Sequence, residues 1–325
     1  MNLHFRPFVD EDHVRAVEIG SAIYPDSPRS LEVARHDDSI WDSERFFRVR
    51  LVAEDESGRV VAWGQLRHMP WQFHPQKYGL DLEVDPAFQR RGVGSAFYER
   101  LIAEARARDA LLVRSGAKES MAASVRFLTK RGFQEVQRTW ESRLDVAAFE
   151  WDRFAGAAQR VAAQGITIAT LAAEGPRDLA VLRKVYDLSV ECTADEPAFE
   201  PITCAPFELF VADEIEAPNA LPEAYFLAKD GERYVGLSNL FARLAQPEVL
   251  SQGFTAVQRD YRGRGIAMAL KLRGLQFARD GGYREIRTFN NSRNRPMLRI
   301  NEALGFQKEP AWIEFALGFD ARVPA

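Results

Sequence analysis

The stretch Leu80-Asp81-Leu82-Glu83-Val84-Asp85-Pro86-Ala87-Phe88-Gln89-Arg90-Arg91-Gly92-Val93-Gly94-Ser95-Ala96-Phe97 decides the reading of the whole chain. Leu80, Leu82 and Val84 alternate with polar residues, the pattern of a short strand. Pro86 ends it, because proline cannot donate to a ladder. Gln89 to Gly94 is a glycine-bearing turn, and a helix is predicted from Ser95 through Ala107. A turn of this kind between a strand and a helix leaves backbone N–H groups free at the positive end of the helix dipole. That is a site for a phosphate or pyrophosphate.

The stretch occurs twice. Phe254 to Leu270 repeats it, and Val84, Arg91, Gly92 and Ala96 match Val257, Arg264, Gly265 and Ala269 at a constant offset of 173 residues. The same offset links Ala105 with Ala278, Arg106 with Arg279, Arg114 with Arg287 and Arg126 with Arg299. It also links Gly132-Phe133-Gln134 with Gly305-Phe306-Gln307. An offset held this long is an internal duplication.

Outward from the two turns, the chain reads as strands and helices with antiparallel hairpins, an α+β layered fold. In the first copy, strands are predicted at 46–53 and 59–66 around the turn Asp55-Glu56-Ser57-Gly58, then at 111–114 and 133–144, with a helix at 122–130. The second copy repeats the order, with strands at 166–170, 225–228, 234–241, 285–289 and 312–318. Residues 145–164 are expected to form one connecting helix with Phe149, Phe154 and Val161 on its apolar side. The expected domains are 1–145 and 166–325, with 146–165 as the linker. The segment 191–222 is a long, acidic, proline-bearing loop.

Composition narrows the function. A chain of 325 residues with a net charge of −4 offers no general attraction for nucleic acid or an anionic membrane. Two cysteines, Cys192 and Cys204, make no disulfide scaffold and no metal-ligand pattern, so a reducing cytoplasm and a metal-free protein are expected. No apolar run approaches a membrane span, and the first twenty residues do not resemble a signal peptide. A monomer or homodimer is expected.

Gln89-x-x-Gly92-x-Gly94 and Arg262-x-x-Gly265-x-Ala267, each after a strand ending in valine and each followed by a strand, a helix and Gly-Phe, resemble the GNAT superfamily of acyl-CoA-dependent N-acyltransferases. The resemblance covers nearly the whole chain as two tandem units, an arrangement similar to that of mycothiol synthases. It implies two tandem GNAT folds, each a mixed, mostly antiparallel central sheet flanked by helices. It implies acetyl-CoA as co-substrate and direct attack by a primary amine, that of a small molecule.

By the same resemblance, the coenzyme pyrophosphate is held by Gln89, Arg90, Arg91, Gly92, Val93, Gly94 and Ser95 in the first unit. Arg262, Gly263, Arg264, Gly265, Ile266, Ala267 and Met268 do the same in the second. The backbone of Leu82 and Val84, and of Ala256 and Val257, would bond the pantetheine and polarise the thioester carbonyl. Four arginines beside helix starts, Arg90, Arg91, Arg262 and Arg264, oppose the helix dipole unless an anion lies nearby.

The catalytic residues are less regular. The family often carries a tyrosine four residues before the Gly-Phe glycine, where this chain has Leu128 and Asn301. Asn301 can donate to a sulfur but cannot transfer a proton. Asn290 and Asn294 are candidate pantetheine contacts, and Asn294 is equally placed to cap a helix starting near Pro296. Glu83 and Asp81 are candidate general bases of the first unit, on opposite faces of one strand. For the second unit Glu191, Asp195 and Glu196 are the candidates. The missing tyrosines leave open a non-catalytic acyl-CoA-binding protein, or an enzyme with one active and one scaffold unit.

Overall fold

A computed structural model describes residues 2–319. The chain runs β1 (His4–Pro7), α1 (Asp12–Ile23), α2 (Leu31–Ser39), β2 (Arg48–Glu54), β3 (Val60–Arg67), β4 (Lys77–Val84), α3 (Val93–Arg106), β5 (Leu112–Lys118), α4 (Ala122–Thr129) and β6 (Gln134–Asp145). It continues through α5 (Ala157–Ala162), β7 (Ile166–Thr170), α6 (Leu171–Glu174), α7 (Leu179–Thr193), α8 (Phe207–Phe210), β8 (Ala220–Asp230), β9 (Arg233–Ala242) and β10 (Val249–Val257). The last elements are α9 (Ile266–Asp280), β11 (Glu285–Asn291), α10 (Arg295–Leu304), β12 (Gln307–Lys308) and β13 (Trp312–Gly318).

Two compact units emerge. The first holds the chain up to Arg138, with Phe199–Thr203 and everything described from Ala311 onward; the second holds Thr139–Ala198 and Cys204–Pro310. In the first, strand order is β1-β2-β3-β4-β5-β13; in the second it is β7-β8-β9-β10-β11-β6, with β12 beside β6. Each sheet is antiparallel except at one place. β4 runs parallel to β5, and β10 runs parallel to β11. The α+β class and the two tandem mixed sheets read from the sequence are therefore what the chain forms.

The duplication and the compact units divide the chain differently. The sequence repeat ends its copies with the strands at 133–144 and 312–318. In space β13 lies on β5 from Trp312↔Lys118 to Gly318↔Leu112, and β6 lies on β11 from Asp145↔Glu285 to Thr139↔Asn291. Each sheet takes its sixth strand from the other copy.

The connecting segment is also not one helix. A 3₁₀ turn at Trp151–Phe154 and the short α5 are separated by Gly156, whose φ of 76° is left-handed and cannot continue a helix. Phe149 and Val161 are buried as expected, and Phe149 stacks on Phe154 at 5.3 Å.

The cores follow from the alternation and helix periods. In the first unit α3 buries Val93, Phe97, Leu101, Ile102 and Ala105 against Ala62, Leu66 and Leu80 of the sheet. In the second, α9 buries Ile266, Ala269, Leu270, Leu275 and Ala278 against Phe226, Leu240 and Leu250. Both helices therefore start at a fixed place over the free end of the central strand.

Candidate functional site

The central strand of each unit outruns its parallel partner. Pairing of β4 with β5 stops at Gly79↔Arg114, yet β4 continues to Val84, still bonded to β3 as far as Val84↔Ala62. Pairing of β10 with β11 stops at Gln252↔Thr288, while β10 continues to Val257. Residues 80–84 and 253–257 thus present an unpaired edge to a wedge-shaped gap. Leu82, Val84, Ala256 and Val257, the expected backbone contacts, all lie on that edge.

The turn closes the wide end of each gap. Arg90 and Gly92 have φ of 62° and 86°; Gly263 and Gly265, at the matching positions, have 75° and 84°. Left-handed residues interleaved this way turn successive N–H groups toward one point, an anion-binding nest. Gly92 and Gly265 are the helix N-caps and offer no side-chain cap, so the first N–H groups of α3 and α9 stay open. A Cβ built on Gly92 or Gly263 would meet nothing within 4 Å, so the space in front of the turns is clear. A Cβ on Gly94 would sit 3.6 Å from Phe127, ordinary contact, which is why the second copy tolerates Ala267 there. These features fit a pyrophosphate in both units.

The first residue of each motif has a role its spacing did not reveal. Gln89 Nε2 donates to the Val84 carbonyl at 3.0 Å, and Arg262 Nε donates to the Val257 carbonyl at 2.9 Å. Each side chain ties the turn back to the end of the strand. Arg262 also binds Asp195 at 2.6 Å. Arg262 still lines the second cleft, so these two internal bonds hold its guanidinium beside the turn. Arg91 lies over Phe88 at 5.5 Å and Arg264 over Tyr261 at 4.7 Å. Arg131, missed in the sequence because it lies 36 residues downstream, reaches Ser95 Oγ at 2.8 Å and adds a cation at the first turn.

Each gap opens into a cleft, of about 390 Å³ in the first unit and about 380 Å³ in the second. Glu83 lines the first. It accepts from Trp63 Nε1 at 2.9 Å and pairs with Arg29, while burial pushes its carboxyl up. Asp81 faces away, bonded to Gln65 at 2.7 Å and Arg67 at 3.3 Å, outside the cleft lining. Leu128 lines the cleft, as does Tyr24, whose hydroxyl burial pushes up to about 12.

The asparagines of the second unit divide. Asn294 lines the cleft, and its Oδ1 also accepts from Met297 N at 3.3 Å, capping α10. Asn301 is buried and donates to Asn290 Oδ1 at 2.5 Å; neither of these two lines the cleft. Among the loop carboxylates, Glu191 accepts from Gln258 at 2.6 Å, and Asp195 is gripped by Arg259 and Arg262, which hold it well below the usual carboxylate range. Glu196 lines the cleft, has no side-chain hydrogen bond among the described residues, and is pushed up by burial.

Two curated relatives are similar to this chain in sequence. A mycothiol acetyltransferase of Clavibacter sepedonicus is 24% identical over 321 residues, covering 96% of this chain and 98% of its own. Another from Thermobifida fusca (strain YX) is 25% identical over 239 residues, 70% of each chain. Among solved structures, a tandem GNAT protein from the clavulanic acid biosynthesis pathway superposes with a TM-score of 0.75 at 18% identity, covering 98% of both chains. A GCN5-related N-acetyltransferase from Sphaerobacter thermophilus gives 0.69 at 18% identity, over 99% of this chain and 98% of that one. A family model described as the acetyltransferase (GNAT) family matches twice, at residues 16–133 and 183–306, once over each turn and cleft. The chain belongs to the acetyltransferase (GNAT) family as a tandem member.

Proposed function

We propose that the protein moves the acetyl group of acetyl-CoA to the primary amine of a small molecule. The observation that carries this reading is the duplicated open nest at the wide end of a splayed parallel strand pair. The nest supplies N–H groups for the pyrophosphate, and the unpaired edges 80–84 and 253–257 supply donors and acceptors for the pantetheine arm. Bound there, acetyl-CoA brings an activated thioester, and the chain's own task is to orient it, polarise its carbonyl and take a proton from the incoming amine.

Glu83 in the first unit and Glu196 in the second are proposed for that last task, since both line their clefts and Asp195, the other carboxylate of the second cleft, is paired with Arg259 and Arg262. The position four residues before the Gly-Phe glycine, where the family often carries a tyrosine, holds Leu128 and Asn301. With Asn301 held by Asn290, protonation of the thiolate falls to solvent or another group. Residues 1–145 and 166–325 are proposed as the two copies of one ancestral unit, each keeping its own coenzyme site.

Heat protection tests the reading. A saturating excess of acetyl-CoA at a hundred times Kd should stabilise a binding-competent unit by about 2.7 kcal/mol. Gly92→Glu with Gly265→Glu places carboxylates in both nests and should abolish the shift, whatever it does to the unliganded melting temperature. Each single variant should leave protection of the other unit and halve the calorimetric stoichiometry from two to one. A double variant protected as well as the parent protein would defeat the assignment.

A further inference from the structure

The second unit differs from the first beside its gap. Pairing of β9 with β10 shifts register between Gln252 and Thr255, a β-bulge holding Gly253 and Phe254. Gln252 stands opposite Leu240 and Thr255 opposite Ser238, so the extra residue puts Gln252 and Thr255 on one face of the sheet. That face is the one covered by α9. In the first unit the ladder between β3 and β4 has no shift, and Leu82, at the matching offset of 173 residues from Thr255, stands opposite Gly64.

The bulge lines up four polar side chains under α9. Lys271 Nζ donates to Gln252 Oε1 at 3.3 Å, Gln252 Nε2 donates to Ser238 Oγ at 3.2 Å, and Ser238 Oγ lies 2.9 Å from Thr255 Oγ1. What each end can do fixes the direction of each bond. Gln252 Nε2 also donates to the Asn239 carbonyl at 2.6 Å, and a carbonyl only accepts, so the amide nitrogen must lie on that side. This orientation holds whether the Lys271 amine is charged or neutral. Ser238 Oγ receives one proton of that nitrogen, and its own proton has a single acceptor among the described residues, Thr255 Oγ1. Ser238 is 2% exposed, and a buried hydroxyl left without an acceptor costs about 1–3 kcal/mol. Ser238 therefore donates to Thr255, and the Thr255 proton is left over.

Thr255 lines the second cleft, between Phe254 and Ala256 and beside Ile266 and Ala267 of the first turn of α9. It sits on the unpaired edge 253–257, and no side chain among the described residues takes its proton. We infer that the Thr255 hydroxyl donates a hydrogen bond to a carbonyl oxygen of the thioester-bearing pantetheine arm, and that Ser238 and Gln252 are the positioning residues that leave its proton free for this. The inference rests on the proposed use of acetyl-CoA and adds a side-chain contact that the turn motif does not encode. Carbonyl oxygens are the acceptors such an arm offers, in its amides and in its thioester. A hydroxyl that itself accepts from Ser238 is the stronger donor for it. Aimed at the thioester, the bond strengthens as the oxygen gains negative charge; aimed at an amide, it holds ground state and transition state alike. Thr255 gives up no proton, and the proton of the amine remains with a cleft carboxylate. The first unit, with Leu82 at this place, has no counterpart.

The test uses the full chain, with the first unit silenced by Gly92→Glu. Acetyl-CoA affinity is read by calorimetry without amine. Turnover is read with the most reactive amine from a panel of polyamines, amino acids, aminoglycosides and peptide N-termini. Thr255→Val removes the hydroxyl and keeps the branched shape, and Thr255→Ala should give the same change if valine fits badly. A contact to the thioester carbonyl should lower kcat at least tenfold with the acetyl-CoA Kd within twofold. A contact to a pantetheine amide should raise Kd at least fivefold with kcat within twofold. Thr255→Ser should restore the parent values in either case. Ser238→Ala should move the same quantity in the same direction, and combined with Thr255→Val it should be no worse than Thr255→Val alone; a purely structural role would add to the loss. Both constants within twofold of the parent in Thr255→Val and in Thr255→Ala overturn the inference while acetyl transfer stands. Loss of acetyl-CoA binding in Gly92→Glu alone overturns it too and leaves the coenzyme to the first unit. If the unmodified protein binds no acetyl-CoA, the parent reading falls and this one with it.

Discussion

Glu83 and Glu196 show what a sequence yields at the scale of single residues. The turn motifs, their glycines and the central-strand carboxylates were all legible from spacing, because left-handed backbone and strand alternation leave a mark on residue type. Side-chain direction leaves none. Alternation said that Glu83 and Asp81 could not both face the cleft, but only the bonds of Asp81 to Gln65 and Arg67 decide between them. Likewise three loop acids looked alike until Glu191 and Asp195 proved to be held by Gln258 and by two arginines. Burial raises the carboxyls of Glu83 and Glu196 above the ordinary glutamate value. A general base works in its deprotonated form, so turnover should fall as pH drops through that raised value. Glu196→Gln should lower kcat by roughly 10²–10⁴ and remove this acidic limb for the second unit, and Glu83→Gln should do the same for the first. Acetyl-CoA heat protection should survive in both. Stopped acetyl-CoA consumption assays across pH, run on each variant with the other unit's nest blocked, check this. An unchanged profile in both would assign the proton to solvent.

At the scale of elements, the strands, the two long helices and the caps followed from pattern. Asp178 caps α7 through Ala180 N, and Asn294 caps α10. What pattern did not reveal is the bulge in β10 and the polar layer it organises beneath α9. Lys271 of that helix is 3% exposed and touches Gln252 Oε1 at 3.3 Å, with Phe306 5.6 Å away. Gln252 in turn donates to Ser238 at 3.2 Å, which bonds Thr255 across the bulge at 2.9 Å. A lysine in the apolar stripe of a helix reads as surface, since periodicity does not report a polar partner on a neighbouring strand. Burial lowers the Lys271 amine from 10.5 to about 7. The unfolded chain therefore binds one more proton than the folded one between those values, and stability must rise with pH across the interval. The slope approaches 1.4 kcal/mol per pH unit at most. Urea denaturation from pH 7 to pH 10 should show the second unit gaining stability. Lys271→Met should flatten this rise and stabilise the protein at pH 7. A parent protein whose stability is level or falls over that range would show that the amine keeps its charge in the core.

At the scale of the whole chain, the duplication was legible because a constant offset survives divergence, but the exchange of closing strands was not. β6 and β13 occupy equivalent places in the repeat and carry the same alternation, so nothing in either says which sheet it joins. Pairing is settled by cross-strand contacts, and those of β13 are with the first unit. Phe315 and Ile313 belong to its core, Trp312 packs on Tyr24 at 5.2 Å, and Arg114 pairs with Glu314. Removing residues 311–325 should therefore damage the distant N-terminal half rather than the half it was cut from. β5 would lose a full antiparallel partner and expose its edge, a template for aggregation. Hydrogen exchange should show β5 and α4 amides losing protection first, while β8 to β10, whose ladder does not involve β13, keep theirs. Acetyl-CoA stoichiometry should drop from two to one, with the Gly265 nest still occupied. Faster exchange confined to β10 and β11, with β5 still protected, would mean that the last strand closes the sheet of its own repeat and that the exchange does not occur.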